Sequence, residues 1–81
     1  HDYVMEAIKQ NGLSLQYASN FMKDKYNIVL EAVEHNGIAL QYASYDLKNN
    51  YYIVTAAMKQ DRLAIRYASN RLQNKKLIIL T

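Results

Sequence analysis

The sequence predicts an all-α fold, a short α-solenoid of two-helix repeats with a period of 25 residues, and three observations predict it. Leu15-Gln16-Tyr17-Ala18-Ser19 returns as Leu40-Gln41-Tyr42-Ala43-Ser44, and again as Ile65-Arg66-Tyr67-Ala68-Ser69. The register runs through the chain without an insertion: Val4, Val29 and Val54 align, as do Ala7, Ala32 and Ala57, then Leu13, Ile38 and Leu63, then Met22, Leu47 and Leu72. Within each unit the apolar residues recur at helical spacing and not in the alternation of a strand. A unit of this size cannot bury its apolar face alone, so it must stack on its neighbours.

The middle unit shows the elements in order. Asp24 reads as the N-cap of a first helix, with Asn49 and Asn74 in the same place, because a carboxylate or amide oxygen accepts from the free N–H groups of a first turn. Ile28, Val29, Ala32 and Val33 then form one apolar stripe of a helix about 11–12 residues long. Asn36-Gly37 reads as its stop, with glycine in the left-handed conformation that closes a helix C-terminus. The second helix is expected from Ile38 to about Tyr45, with Leu40, Ala43 and Leu47 on one face and Ile38 and Tyr42 on the adjacent one. The chain then turns through Asp46-Leu47-Lys48 into the next cap. Helices this short are unstable in isolation, so burial must hold them, and the alanines at 7, 32, 57 and at 18, 43, 68 let neighbouring helices approach closely.

The β-branched run Tyr51-Tyr52-Ile53-Val54-Thr55 could suggest a strand, but the Ala and Met that follow favour helix. Leu77-Ile78-Ile79-Leu80 falls in register with Ile28 and Ile53 and reads as the start of a fourth unit. The expected organisation is thus one array over residues 1–81, with units at about 1–24, 25–49 and 50–74 and a partial fourth at 75–81. A chain that opens on His1 and stops inside a unit is expected to be a fragment of a longer array. Its cut C-terminal end is then a site for self-association.

At these residues the pattern Val-x-x-Ala-Val/Ile-x-x-Asn-Gly-x-x-Leu-x-Tyr-Ala-Ser resembles the short helical repeat known as domain of unknown function 4116. The resemblance covers three copies and nearly the whole chain. It implies tandem copies within large bacterial and protist proteins, and it implies a helical-repeat fold with no catalytic residues to transfer. The third unit departs from the pattern, with Asp61-Arg62 in place of Asn-Gly and Arg66 in place of Gln.

Composition narrows the function classes. The 81 residues make one small domain, and the low glycine count with no proline argues against disorder. No apolar run reaches the roughly 20 residues that cross a bilayer. Cysteine is absent, which removes disulfides and thiolate metal sites and fits a reducing, intracellular setting. The net charge of +3 is uneven: residues 1–25 are neutral, residues 26–50 carry −2, and residues 51–75 carry +4 from Lys59, Arg62, Arg66, Arg71 and Lys75 against Asp61, with Lys76 beyond them.

Four groups of residues are candidates for chemistry. Tyr17, Tyr42 and Tyr67 form a ladder that could grip a peptide or stack bases. Strict periodicity instead predicts rings packed between helices, with hydroxyls bonded to a neighbouring unit. Ser19, Ser44 and Ser69 have no repeated base beside them, so they read as hydroxyls bonding local backbone and not as nucleophiles. His35 and Glu31 could share a metal, but a zinc site wants three or four ligands and the only other imidazole is His1. Asn11-Gly12 and Asn36-Gly37 lack the spacing of a phosphate-binding loop. No cofactor and no metal are expected.

The remaining signals lie where the repeat does not dictate the residue. Tyr45 aligns with Asn20 and Asn70, and Tyr52 aligns with Asn27 and Leu77. With Arg62, Arg66 and Arg71 of the basic third unit, they are the predicted partner-binding residues, since Tyr and Arg are enriched where interfaces concentrate their energy. The expected function is a non-catalytic segment for protein–protein interaction or scaffolding, its partner another protein or other parts of its own chain. The alternatives are a purely structural spacer between functional domains, and weak nucleic-acid binding through the basic third unit.

Overall fold

The computed structural model describes residues 2–75, and side chains from Val4 to Gln73. Among the described residues every regular element is helical. The order is α1 (Asp2–Gln10), a 3₁₀ helix (Gly12–Tyr17), α2 (Asn20–Lys23), α3 (Tyr26–His35), a second 3₁₀ helix (Gly37–Tyr42), α4 (Tyr45–Lys48), α5 (Tyr51–Gln60), a third 3₁₀ helix (Arg62–Tyr67) and α6 (Asn70–Lys75). The run Tyr51 to Thr55 is thus helix and not strand. Leu77 to Leu80, Lys76 and the expected self-association end lie outside the described residues.

The long helices pack side by side, α3 between α1 and α5, and the 3₁₀ helices do the same, the second against both others. The core lies between these two rows. Leu15 and Leu40, Ile8 and Val33, Val29 and Val54, and Ala32 and Ala57 are fully buried, with Ala43 and Leu47 almost so. The predicted stripe therefore faces the interior.

The second half of each unit differs from the single α-helix expected there. Asn36 ends α3 by donating its N–H to the Ala32 carbonyl at 2.9 Å, in an extended conformation (φ −155°, ψ 110°). It then starts the 3₁₀ helix: its Oδ1 accepts from the Ile38 N–H at 3.0 Å, and its carbonyl accepts from the Ala39 N–H at 2.9 Å. Bonds that close after two and three residues draw the chain into the tighter helix. Asn11 does the same for the first unit and Asp61 for the third, each accepting at 3.0 Å from Leu13 and Leu63. Only an acceptor oxygen is needed, so Asp replaces Asn without loss.

Each 3₁₀ helix ends at an alanine in extended conformation, and the serine after it restarts the chain as a four- to six-residue α-helix. The Oγ atoms of Ser19, Ser44 and Ser69 accept from the N–H groups of Met22, Leu47 and Leu72 at 3.2, 3.4 and 3.4 Å, as N-caps do.

Glycine here serves close approach, which corrects the expectation of a left-handed helix stop. Gly12 and Gly37 are buried first residues of their 3₁₀ helices and do not adopt positive φ. A Cβ on Gly12 would stand well under 3.0 Å from the Ala32 carbonyl oxygen, and one on Gly37 equally close to that of Ala57. The backbone of one unit thus touches the long helix of the next. In the third unit the same place is held by Arg62, which opens the third 3₁₀ helix.

The N-cap assignment of Asp24 and Asn49 is also corrected. These residues are the C-caps of α2 and α4, and the N-cap of α3 is the next residue, Lys25, which makes no side-chain cap hydrogen bond. For α5 the cap is Asn50, whose Oδ1 accepts from the N–H groups of Tyr52 and Ile53 at 2.9 and 3.1 Å. Asp24 and Asn49 instead join one unit to the next. Ser44 Oγ donates to Asp24 Oδ1 and Ser69 Oγ to Asn49 Oδ1, both at 2.6 Å. Beside them the Ser44 N–H donates to the Lys23 carbonyl at 3.0 Å and the Ser69 N–H to the Lys48 carbonyl at 2.9 Å.

Two outcomes follow for stability, both checked by urea unfolding. Gly37→Ala forces two units apart and is expected to cost about 1–3 kcal/mol or more, with an unchanged midpoint refuting the close contact. Ser69→Ala loses a cap and a bond between units, for about 1–3 kcal/mol, whereas Ser19→Ala loses only a cap, for about 1 kcal/mol. Equal losses at the two serines would contradict the joint.

Candidate functional site

The predicted partner-binding residues divide into exposed and committed ones. Tyr45 opens α4 and is 68% exposed, and Tyr52 lies in the first turn of α5 and is 71% exposed. The two elements pack on each other, and the Tyr52 ring meets the Tyr51 ring edge-on, with centroids 5.6 Å apart. These rings leave a large aromatic area in water at positions the repeat leaves free.

The arginines of the basic third unit do not share one face. Arg62 and Arg66 are exposed, but both belong to the third 3₁₀ helix. At three residues per turn, positions four apart point about 120° away from each other, where an α-helix would have aligned them. Arg71 is held at the joint between units. Its Nε donates to Asn49 Oδ1 at 2.9 Å and its Nη2 to the Asn49 carbonyl at 3.0 Å. Asn49 Oδ1 thereby accepts from both Ser69 and Arg71. This role was missed from sequence, although the recurrence of an oxygen acceptor at 24 and 49, each twenty residues before a serine of the series, was its signal.

The tyrosine ladder packs in two of its three places. Tyr42 and Tyr67 are half-buried against the core, while Tyr17 is 83% exposed. Among the described residues none of the three hydroxyls takes part in a hydrogen bond, so the expected bonds to a neighbouring unit are not made there. What anchors this stretch is amide chemistry: Gln16 and Gln41 donate to the carbonyls of Leu13 and Ile38 at 3.3 and 3.4 Å, and Gln73 donates to that of Ala68 at 2.8 Å.

The serines touch a carboxylate in one joint and an amide in the other. An amide oxygen does not take up a proton, so the role shared by Asp24 and Asn49 is to accept a hydrogen bond and not to act as a base. His35 Nε2 lies 2.9 Å from Glu31 Oε2, one helical turn away on exposed surface. No group of three or more His, Cys, Asp or Glu side chains converges as a metal site among the described residues. No helix among them is long and apolar enough to cross a membrane. Between α2 and α3 the Lys25 ammonium stands 4.2 Å from the centre of the exposed Phe21 ring, a cation–π contact.

A groove of about 320 Å³ crosses the boundary of the first two units, lined by Asn20 and Lys23 on one side and by Gln41, Tyr42, Ala43 and Ser44 on the other. Its lining is mixed, polar and apolar, and it adjoins the Ser44–Asp24 joint.

No curated protein and no solved structure matches the chain. The family model described as a domain of unknown function (DUF4116) matches residues 25–73, which hold the second unit and most of the third. With more than half of its length covered by that model, and with the same pattern written again in residues 1–24, the chain belongs to the DUF4116 family.

Proposed function

We propose that the chain is a short α-solenoid of 25-residue helical units, a non-catalytic segment that works as a protein-interaction or scaffolding module. The joints support the solenoid. The same serine-to-Asx bond and the same glycine-to-carbonyl approach recur from the first unit to the second and from the second to the third. The dimensions of 36 × 21 × 15 Å agree with units placed along one long axis. Such arrays work through extended surfaces whose exterior residues vary over a constant interior.

The observation that carries the interaction reading is the pair Tyr45 and Tyr52. Both are strongly exposed, both break the repeat, and they stand on elements packed together. Aromatic area left in water at positions the fold does not need is the chemistry of an interface centre. The spacer alternative draws on the joints alone. The nucleic-acid alternative draws on Arg62 and Arg66, whose divergence on a 3₁₀ helix weakens it.

A photoreactive phenylalanine analogue at position 45 or 52 tests this. On irradiation in cell extract it is expected to yield a discrete protein adduct that survives high salt and is missing when the analogue replaces Lys59. No adduct at either position favours the spacer. A nucleic-acid adduct that disappears with salt and on charge reversal of Arg62 and Arg66 favours the third role.

A further inference from the structure

The groove at the first joint carries unused polar groups on both of its walls. Among the described residues the Lys23 ammonium forms no ion pair, and the Asn20 carboxamide and the Tyr42 hydroxyl take part in no hydrogen bond. Gln41 Nε2 donates to the Ile38 carbonyl at 3.4 Å, which leaves its Oε1 as an acceptor. The 25-residue register repeats these walls at the second joint. Tyr45 and Lys48 take the places of Asn20 and Lys23, and Arg66 and Tyr67 those of Gln41 and Tyr42. Tyr45 and Arg66 are exposed there, and Lys48 and Tyr67 are half-buried. Asn20 with Lys23, and Tyr45 with Lys48, stand three residues apart on their short helices and so share a face. Each joint lies between two described units, so neither is open because a chain end is near. The charge along this row has one sign: Lys23, Lys48 and Arg66, with no carboxylate among the corresponding positions. Of the neighbouring acids, Asp24 accepts from Ser44 Oγ at 2.6 Å, and Asp46 lies about 100° round α4 from Tyr45.

We propose that this row binds an extended, acidic peptide segment of a partner protein. Its carboxylates meet Lys23, Lys48 and Arg66, and its backbone lies against the amides and tyrosine rings between them. The cations set the sign of the partner. The amides set its class. Gln41 Oε1 calls for an N–H, which a peptide unit offers at nearly every residue and a phosphate backbone does not. One or two cations per unit are also too sparse to match a strand that carries a phosphate on every nucleotide. The groove sets the conformation. A single α-helical turn, about 10–12 Å across and 5.4 Å long, already exceeds about 320 Å³, whereas an extended chain enters it. Salt screens the ion pairs, and the amide and tyrosine contacts then hold the complex. Because Tyr45 belongs to this row, the inference deepens the interaction reading above and rests on it.

Synthetic peptides of about ten residues test it, titrated onto the 81-residue chain by fluorescence anisotropy and mapped by amide chemical shifts. One alternates Glu with Thr, which favours an extended chain, and its controls alternate Gln or Lys with Thr. The Glu–Thr peptide is expected to bind at least about tenfold tighter than either control and to shift the amides of Lys23, Gln41, Ser44 and Arg66. Lys23→Glu combined with Lys48→Glu is expected to weaken it at least about tenfold, and Lys23→Gln with Lys48→Gln, which keeps the fold free of new charge, about threefold. Lys59→Glu, outside the row, is expected to change the affinity by less than about twofold. No binding, equal binding of the Gln–Thr peptide, or a loss at Lys59 equal to that in the row would each overturn the proposal. Oligothymidine that shifts the same amides and binds more tightly would overturn it in favour of nucleic acid. A protein adduct through position 45 in cell extract, with no binding of the Glu–Thr peptide, would sink the acidic row alone. No adduct at either tyrosine would remove the interaction reading beneath it, so the two failures are distinct.

Discussion

The structure depends on how closely the backbone of one unit approaches the long helix of the next. Gly12 and Gly37 leave no side chain at the point of contact, and the alanines opposite them, Ala32 and Ala57, are fully buried. With the backbones in contact, a serine can reach an Asx side chain twenty residues earlier at 2.6 Å. It also lets elements of four to ten residues persist, none of which would be stable alone.

The joints divide labour between apolar and polar groups. The apolar column supplies most of the free energy, since burial of Leu, Ile and Val side chains is worth about 1.5–3 kcal/mol each. The polar column fixes register. Ser44 and Ser69 each donate two hydrogen bonds to the preceding unit and cap the short helix that follows. A slip of one residue would leave these groups unpaired at positions such as Ser69, which is 4% exposed. Arg71 reinforces the second joint, where the acceptor is the uncharged Asn49 in place of Asp24.

The sequence made the helical class and the interior legible, because burial imposes a period that survives changes among Val, Ile, Leu and Met. Val29, Ala32, Ala43 and Leu47 lie inside as that period requires. The family was legible too, from the Asn-Gly and Tyr-Ala-Ser pattern. The glycines, the Asx acceptors and Arg71 were not, and for one reason. Each is set by a neighbour about twenty residues away, while Gly after Asn and Asp before a helical run carry strong local meanings as stop and cap. The 3₁₀ helices were hidden similarly, since Leu40, Ala43 and Leu47 fit an α-helical face whether or not the chain turns more tightly between them. The exposure of Tyr45 and Tyr52 did agree with their departure from the repeat.

Nuclear Overhauser contacts across the unit boundaries test the central claim most directly. The account predicts strong cross-peaks from the Gly12 Hα protons to the Asn36 amide, and from the Gly37 Hα protons to the Asp61 amide, because a Cβ built on either glycine falls within about 3.2 Å of those nitrogens. Their absence in a folded chain would show that the units do not meet through their backbones.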